Sequence, residues 1–341
     1  MRSFFYLTFA AFLFLSLFAC SSVKDIPEEE PEISILETYY SEEALEESGF
    51  DEIWGYLYAS QNDRLPENCP VTDIGYFGAG LSTFGFLCDV PDVNKLKKTG
   101  RAEGKRIHMV VADNGKALTH FCISSEYSVR NKLINDIVEA AGPFDGVQID
   151  FELVSASDAE DYITFLSELK HKLKDKIFSV ALPARMKKNE IYDYEKIAAI
   201  ADKILIMAYD EHWSTSKPGP VASVEWCKKV VEYAKTVIPR KQLIMGLPFY
   251  GRAWADVNPA TAYRYVTLQK LIKEKNLSEE IITRTDSIPN FKYEQLVNVT
   301  VFYEDCESIK EKADMYKTQG VAQIGFWCIG QEAPEVWELF R

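Results

Sequence analysis

Several absences narrow the field. No glycine-rich phosphate loop of the GxGxxG or GxxxxGK[ST] form occurs, so nucleotide chemistry has no foothold. The four histidines, His108, His120, His171 and His212, form no HExxH pair and no cysteines have CxxC spacing, which leaves no metal site to expect and no cofactor. Basic runs are missing, and 52 acidic against 38 basic residues give a formal net charge of −14, which excludes a polyanion such as nucleic acid as partner. No repeat of solenoid or propeller period stands out. What remains is 341 residues with 47% hydrophobic content, ample for one large core.

The N-terminus has Arg2 and then a nearly unbroken apolar run over residues 4–19, the pattern of a secretory signal. It is shorter than the ~20 apolar residues that a membrane span needs. Leu17-Phe18-Ala19-Cys20 resembles the lipobox of bacterial lipoproteins, although Phe18 is bulkier than usual there. That resemblance implies cleavage after residue 19, a lipid on the Cys20 thiol, and a chain anchored to a bacterial membrane at the cell envelope, on its periplasmic or outer-surface side. Residues 20–48, rich in Glu and Pro, then read as an acidic tether to a domain over 49–341. An exported chain permits disulfides. The pairing among six remaining cysteines is open, with Cys69 and Cys88 preferred because they flank a strand and hairpin.

From residue 52 onward, strand-like and helix-like patterns alternate. Strands are expected at 52–58, 73–79, 106–112, 144–152, 177–184, 203–210, 242–251 and 321–329. Helices are expected at 131–141, 157–173, 194–201 and 223–236, with Ser157 and Glu160 in capping-box spacing. Repeated βα units in this number predict an α/β fold of the (β/α)8 TIM-barrel type, an open sheet being the alternative. About 70 residues separate the last two strands, too many for a simple connection, so a small α+β insertion is expected at about 253–303.

The chemistry centres on Phe144-Asp145-Gly146-Val147-Gln148-Ile149-Asp150-Phe151-Glu152. As a strand it places Val147, Ile149 and Phe151 on one face, and Gln148, Asp150 and Glu152 on the other. Two carboxyls two positions apart repel, which raises at least one pKa and keeps a proton available for general acid catalysis. Glu152, nearer the strand end, is the better acid.

This stretch resembles the DxxDxDxE signature of glycoside hydrolase family 18, the chitinase-like barrel enzymes. Met207-Ala208-Tyr209-Asp210, Gly246-Leu247-Pro248-Phe249-Tyr250-Gly251-Arg252 and Gly325-Phe326-Trp327 resemble further family segments, in the family's order. The resemblance implies a retaining glycosidase that cleaves β-1,4 bonds of N-acetylglucosamine-containing polysaccharide or oligosaccharide, chitin or peptidoglycan, acting as a monomer. It implies Glu152 as acid and base, Asp150 and Tyr209 as partners of the substrate's N-acetyl group, and Asp210, Trp327, Tyr250, Arg252 and Met207 around the sugar. Asp145, of opposite parity, is expected beneath the site on backbone. A chitinase-like lectin without turnover is the rival reading.

One position departs from the pattern. Gln148 stands where the family has its middle aspartate. The amide is expected to donate to ionised Asp150 and to lower its pKa.

Overall fold

The computed structural model describes residues 49–257, 263–278, 281–285 and 287–341. The signal segment, Cys20 and the tether lie outside the described residues. Among the described residues no helix is long and apolar enough to cross a membrane.

Eight parallel strands close on themselves. Strand β1 (Glu52–Tyr58) pairs with β2 (Asp73–Leu81) and with β13 (Gln323–Trp327). From β2 the ring runs through β4 (Arg106–Asp113), β5 (Gly146–Phe151), β6 (Ile177–Pro183), β7 (Lys203–Met207) and β8 (Leu243–Pro248) back to β13. The two-residue strand β3 (Leu87–Cys88) hangs from β2 as an antiparallel hairpin. With helices between the strands this is a (β/α)8 barrel.

Strand parity decides what fills each space. Val147, Ile149 and Phe151 point out to the helices and belong to the large core between barrel and helices. The helix Ala159–Leu173 answers with Tyr162, Phe165, Leu166, Leu169 and Leu173, an apolar stripe at helical spacing. Phe165 stacks on Phe151 with centroids 5.7 Å apart. The expected capping box does not form here. Ser157 lies within the short 3-10 turn Ala156–Asp158, one residue ahead of the N-cap, and its hydroxyl donates to Asp158 instead. The helix Val224–Ala234 does start as its sequence suggests, with Ser223 accepting from the Trp226 amide.

A separate, smaller core fills the barrel itself: Trp54, Tyr56, Val110, Leu205, Ile244 and Cys328. Room for it comes from glycine. A Cβ on Gly75 would lie 2.8 Å from the Tyr56 ring, and one on Gly246 would lie 3.0 Å from the Tyr209 ring.

Below that core, at the N-terminal ends of the strands, lies a polar plug. Asp73 accepts two bonds from Arg106, each 2.7 Å, and contacts His108 Nε2 at 2.7 Å. Glu52 pairs with Arg106 at 2.9 Å and with Lys203 at 2.8 Å. Burial raises the pKa of both carboxyls, but His108 and Arg106 around Asp73, and Lys203 with Trp54 and Arg106 around Glu52, outweigh it and hold both below their usual values.

Two expectations need correction. Cys69 and Cys88 are free thiols, as are the other cysteines among the described residues. Cys69 precedes the start of β2, while Cys88 pairs with Gly80 near its end. At about 3.3 Å per residue that separation is roughly 20 Å, beyond any disulfide. The strand expected at 242–251 also stops early, at Pro248. Arg252 belongs to a new strand, β9 (Arg252–Ala255), antiparallel to β12 (Val299–Phe302). Between them lie a helix, Tyr265–Glu274, and the hairpin of β10 (Thr283–Thr285) and β11 (Ile288–Asn290). This is the α+β insertion between the seventh and eighth barrel strands.

Candidate active site

The C-terminal ends of the strands surround a cleft of about 560 Å³. Asp150 reaches it from the end of β5, and Glu152 from the first turn beyond. Tyr209 and Asp210 follow β7, Tyr250 and Arg252 follow β8, and Trp327 ends β13. Met207 lines the wall. The expected residues therefore converge, with Gln148 and Asp145 outside the lining. Asp145 sits just before the other end of β5, below the site, where it accepts the Ile107 amide at 2.8 Å.

Asp150 is 5% exposed, and its Oδ1 has no hydrogen-bond partner among the described residues. Burial first, then the Glu152 charge, pushes its pKa up to about 7. Glu152 opens to solvent, yet protein around its carboxyl, followed by the charge of Asp210, raises it as well. Asp150 thus retains its proton up to about pH 7, beside a Glu152 whose own pKa is raised.

Gln148 does not serve Asp150, contrary to the sequence expectation. Its Oε1 accepts the Tyr56 hydroxyl, and its Nε2 donates to Ser179 Oγ at 3.1 Å. Among the described residues no hydrogen bond joins this amide to Asp150, and the Asp150 pKa rises instead of falling. Tyr56 itself is raised well above 10, by burial and then by Asp150, so it remains a donor.

Tyr209 is raised well above 10 by burial, with Tyr56, Asp150, Tyr250 and Glu152 adding to the effect. Its O–H is a permanent donor at neutral pH. Asp210 has φ +60°, a left-handed conformation that Asp tolerates better than most residues. That turn directs its Oδ1 to the Tyr250 hydroxyl at 2.5 Å and to Arg252 Nη2 at 2.6 Å. Tyr250 in the turn after β8 and Arg252 at the start of β9 thus meet at Asp210. The Trp327 ring is braced by Tyr56, Tyr58 and Phe77, with centroids 5.3, 5.6 and 5.2 Å away. Its indole forms the floor of the cleft.

The sequence reading missed Tyr56, Ser179, Arg185, Trp226 and Gln331. Tyr56 carried a signal: Trp54, Tyr56 and Tyr58 share a parity that points into the barrel. Arg185 carried one too, as the first charge after the strand end Pro183-Ala184. Among the described residues no cluster of His, Cys, Asp and Glu is suited to a metal.

A parallel barrel that gathers two carboxyls with raised pKa values, a phenol donor and an indole floor at its C-terminal mouth has the construction of a glycoside hydrolase. Residues 52–332 match the model for glycosyl hydrolases family 18, and the chain belongs to that family. The cortical fragment-lytic enzyme of Bacillus anthracis is 28% identical over 290 residues, 79% of this chain and 67% of that protein. Chitinase A1 of Niallia circulans is 25% identical over 333 residues, covering 79% of this chain and 47% of that protein. The crystal structure of the Bacillus cereus spore cortex-lytic enzyme SleL superposes with a TM-score of 0.67 at 26% identity, covering 85% of this chain and 73% of SleL. The protein is a glycoside hydrolase.

Proposed function

We propose that the enzyme hydrolyses β-1,4 bonds beside N-acetylglucosamine with retention, using the substrate's own N-acetyl group as nucleophile. The observation that carries this is the buried, unpartnered Asp150 Oδ1 in a site where Tyr209 stays protonated. Two carboxyls of the ordinary retaining scheme would need one of them ionised and open to the anomeric carbon. Here the inner carboxyl is enclosed, and an acetamido N–H would supply the partner that it lacks.

In this reading Glu152 protonates the glycosidic oxygen as the bond to the anomeric carbon breaks. The acetamido carbonyl oxygen, held by the Tyr209 hydroxyl, bonds to that carbon from the opposite face and forms an oxazolinium ion. Asp150 accepts the acetamido N–H and balances the positive charge. Glu152, now ionised, takes a proton from water as the water opens the ring, and the configuration is retained. Trp327 stacks under the sugar, and Asp210, fixed by Tyr250 and Arg252, meets its hydroxyls.

For substrate, similarity to cortex-lytic enzymes supports an envelope glycan, peptidoglycan, over chitin. A lipid on Cys20 would hold the enzyme near such a glycan at the membrane surface. The decisive experiment compares chromogenic N-acetylglucosamine and glucose oligomers. Cleavage of the former at a rate at least ~10²-fold higher supports the nucleophile assignment, and comparable rates would refute it. Mass spectrometry of products from purified peptidoglycan and from chitin oligosaccharides tests the substrate.

A further inference from the structure

Two guanidinium groups line the cleft, and they differ in one respect. Arg252 is neutralised by Asp210 at 2.6 Å. Arg185, on the first turn after β6, is half-buried and has no carboxylate partner among the described residues. Its Nη1 donates to the Ala184 carbonyl at 2.9 Å, and its guanidinium carbon lies 5.8 Å from the centre of the Tyr192 ring. Tyr192 is itself fixed, donating to the Phe151 carbonyl at 3.0 Å and accepting the Val154 amide at 3.0 Å. The ring thus ties the guanidinium to the end of β5, which bears Asp150, and to the turn after it, which bears Glu152. Among the described residues no ion pair joins Arg185 to Glu152, and Arg185 is not among the causes of the Glu152 shift.

A pre-positioned arginine with free N–H donors, open to a substrate cleft, matches a carboxylate. A neutral chitin chain offers none. We propose that Arg185 binds the free lactyl carboxylate of an N-acetylmuramic acid residue next to the scissile N-acetylglucosamine, so that the enzyme prefers glycan strands stripped of their peptides. This rests on the glycosidase reading above and adds the substrate's charge to it. In peptidoglycan that carboxyl is amide-linked to the peptide stem. The reaction that must supply this substrate is therefore hydrolysis of that amide, which adds water and leaves a free amine and a free carboxylate.

The test uses alternating N-acetylglucosamine and N-acetylmuramic acid tetramers with the lactyl group as free acid or as primary amide, and a chitin tetramer as reference. For the wild type, kcat/KM is expected to be at least ~10-fold higher for the acid than for the amide. The difference should lie in KM and shrink as salt is added. Arg185→Gln should abolish this ratio, and Arg185→Lys should retain part of it. Equal kcat/KM for acid and amide in the wild type, with the chitin tetramer hydrolysed, would overturn the role of Arg185 alone. A ratio that survives Arg185→Gln would do the same. Hydrolysis of none of the three would instead overturn the proposed action beside N-acetylglucosamine and the inference with it. The acid-to-amide comparison in the wild type needs no variant to fold.

Discussion

The two ends of the barrel interior hold similar groups in opposite states. At the N-terminal end, Glu52 and Asp73 are each held by cations, and their pKa values are lowered. At the C-terminal end, Asp150 and Glu152 have each other and Asp210 for neighbours, and theirs are raised. Burial acts in the same direction at both ends. The difference is the partner: a cation converts a buried carboxylate into a structural plug, and a second acid converts it into a proton store. The plug seals the barrel, and the store faces the cleft.

The sharpest way to break this contrast is to alter each end and measure both activity and stability. Glu152→Gln should lower turnover of a chromogenic N-acetylglucosamine oligomer by about 10³–10⁴-fold with little change in Tm. Equal rates would remove Glu152 from the acid role. Asp73→Asn should do the reverse. It leaves the buried His108 ring and the partly exposed Arg106 guanidinium without their carboxylate and should cost about 3–5 kcal/mol of stability by urea unfolding. A large loss of kcat in the folded variant would show that the ends are not separable.

Asp150→Asn links the two readouts. The folded pKa of Asp150, about 7, lies above the ordinary 3.8, so between those values the unfolded chain has released a proton that the folded chain retains. Stability from this group is full below pH ~4 and falls as pH rises through about 7, by at most ~4 kcal/mol. The asparagine variant should lose activity, match the wild type in stability near pH 4, and exceed it at pH 8. A wild type as stable as the variant at pH 8 would contradict the raised pKa. If the proton that Asp150 retains supplies the acid Glu152, kcat/KM of the wild type should fall as pH rises through about 7, where Asp150 loses that proton. The smallest effect concerns Tyr56→Phe, which leaves the buried Oε1 of Gln148 without its donor. It should cost about 1–3 kcal/mol by thermal or urea unfolding, with any activity loss secondary. No change would mean that Gln148 is held by Ser179 alone.

Much of this site was legible in sequence because strand parity is rigid. Once residues 144–152 are a strand, Asp150 and Gln148 must face inward and Val147 outward, and the closed barrel then gathers the strand ends. The sequence could not show which partner an inward residue meets across the barrel. Gln148 was expected to donate to Asp150 on its own strand. Tyr56, 92 residues away in the chain, and Ser179, 31 away, hold it instead. The end of the strand expected at 242–251 erred for a related reason. Parity was extended past Pro248, where the strand ends and a turn brings the side chains of Tyr250 and Arg252 to Asp210 by another route. Local pattern fixes a direction, while cross-barrel contacts fix the partner and therefore the protonation state.

That protonation state is most directly measured by a pH titration of ¹³C-labelled aspartate carboxyls by NMR, with Asp150→Asn and Asp73→Asn for assignment. One resonance should titrate near pH 7 and vanish in Asp150→Asn, while that of Asp73 stays ionised down to its ordinary range and below it. An Asp150 carboxyl that titrates near 4 would contradict the contrast between the two ends of the barrel.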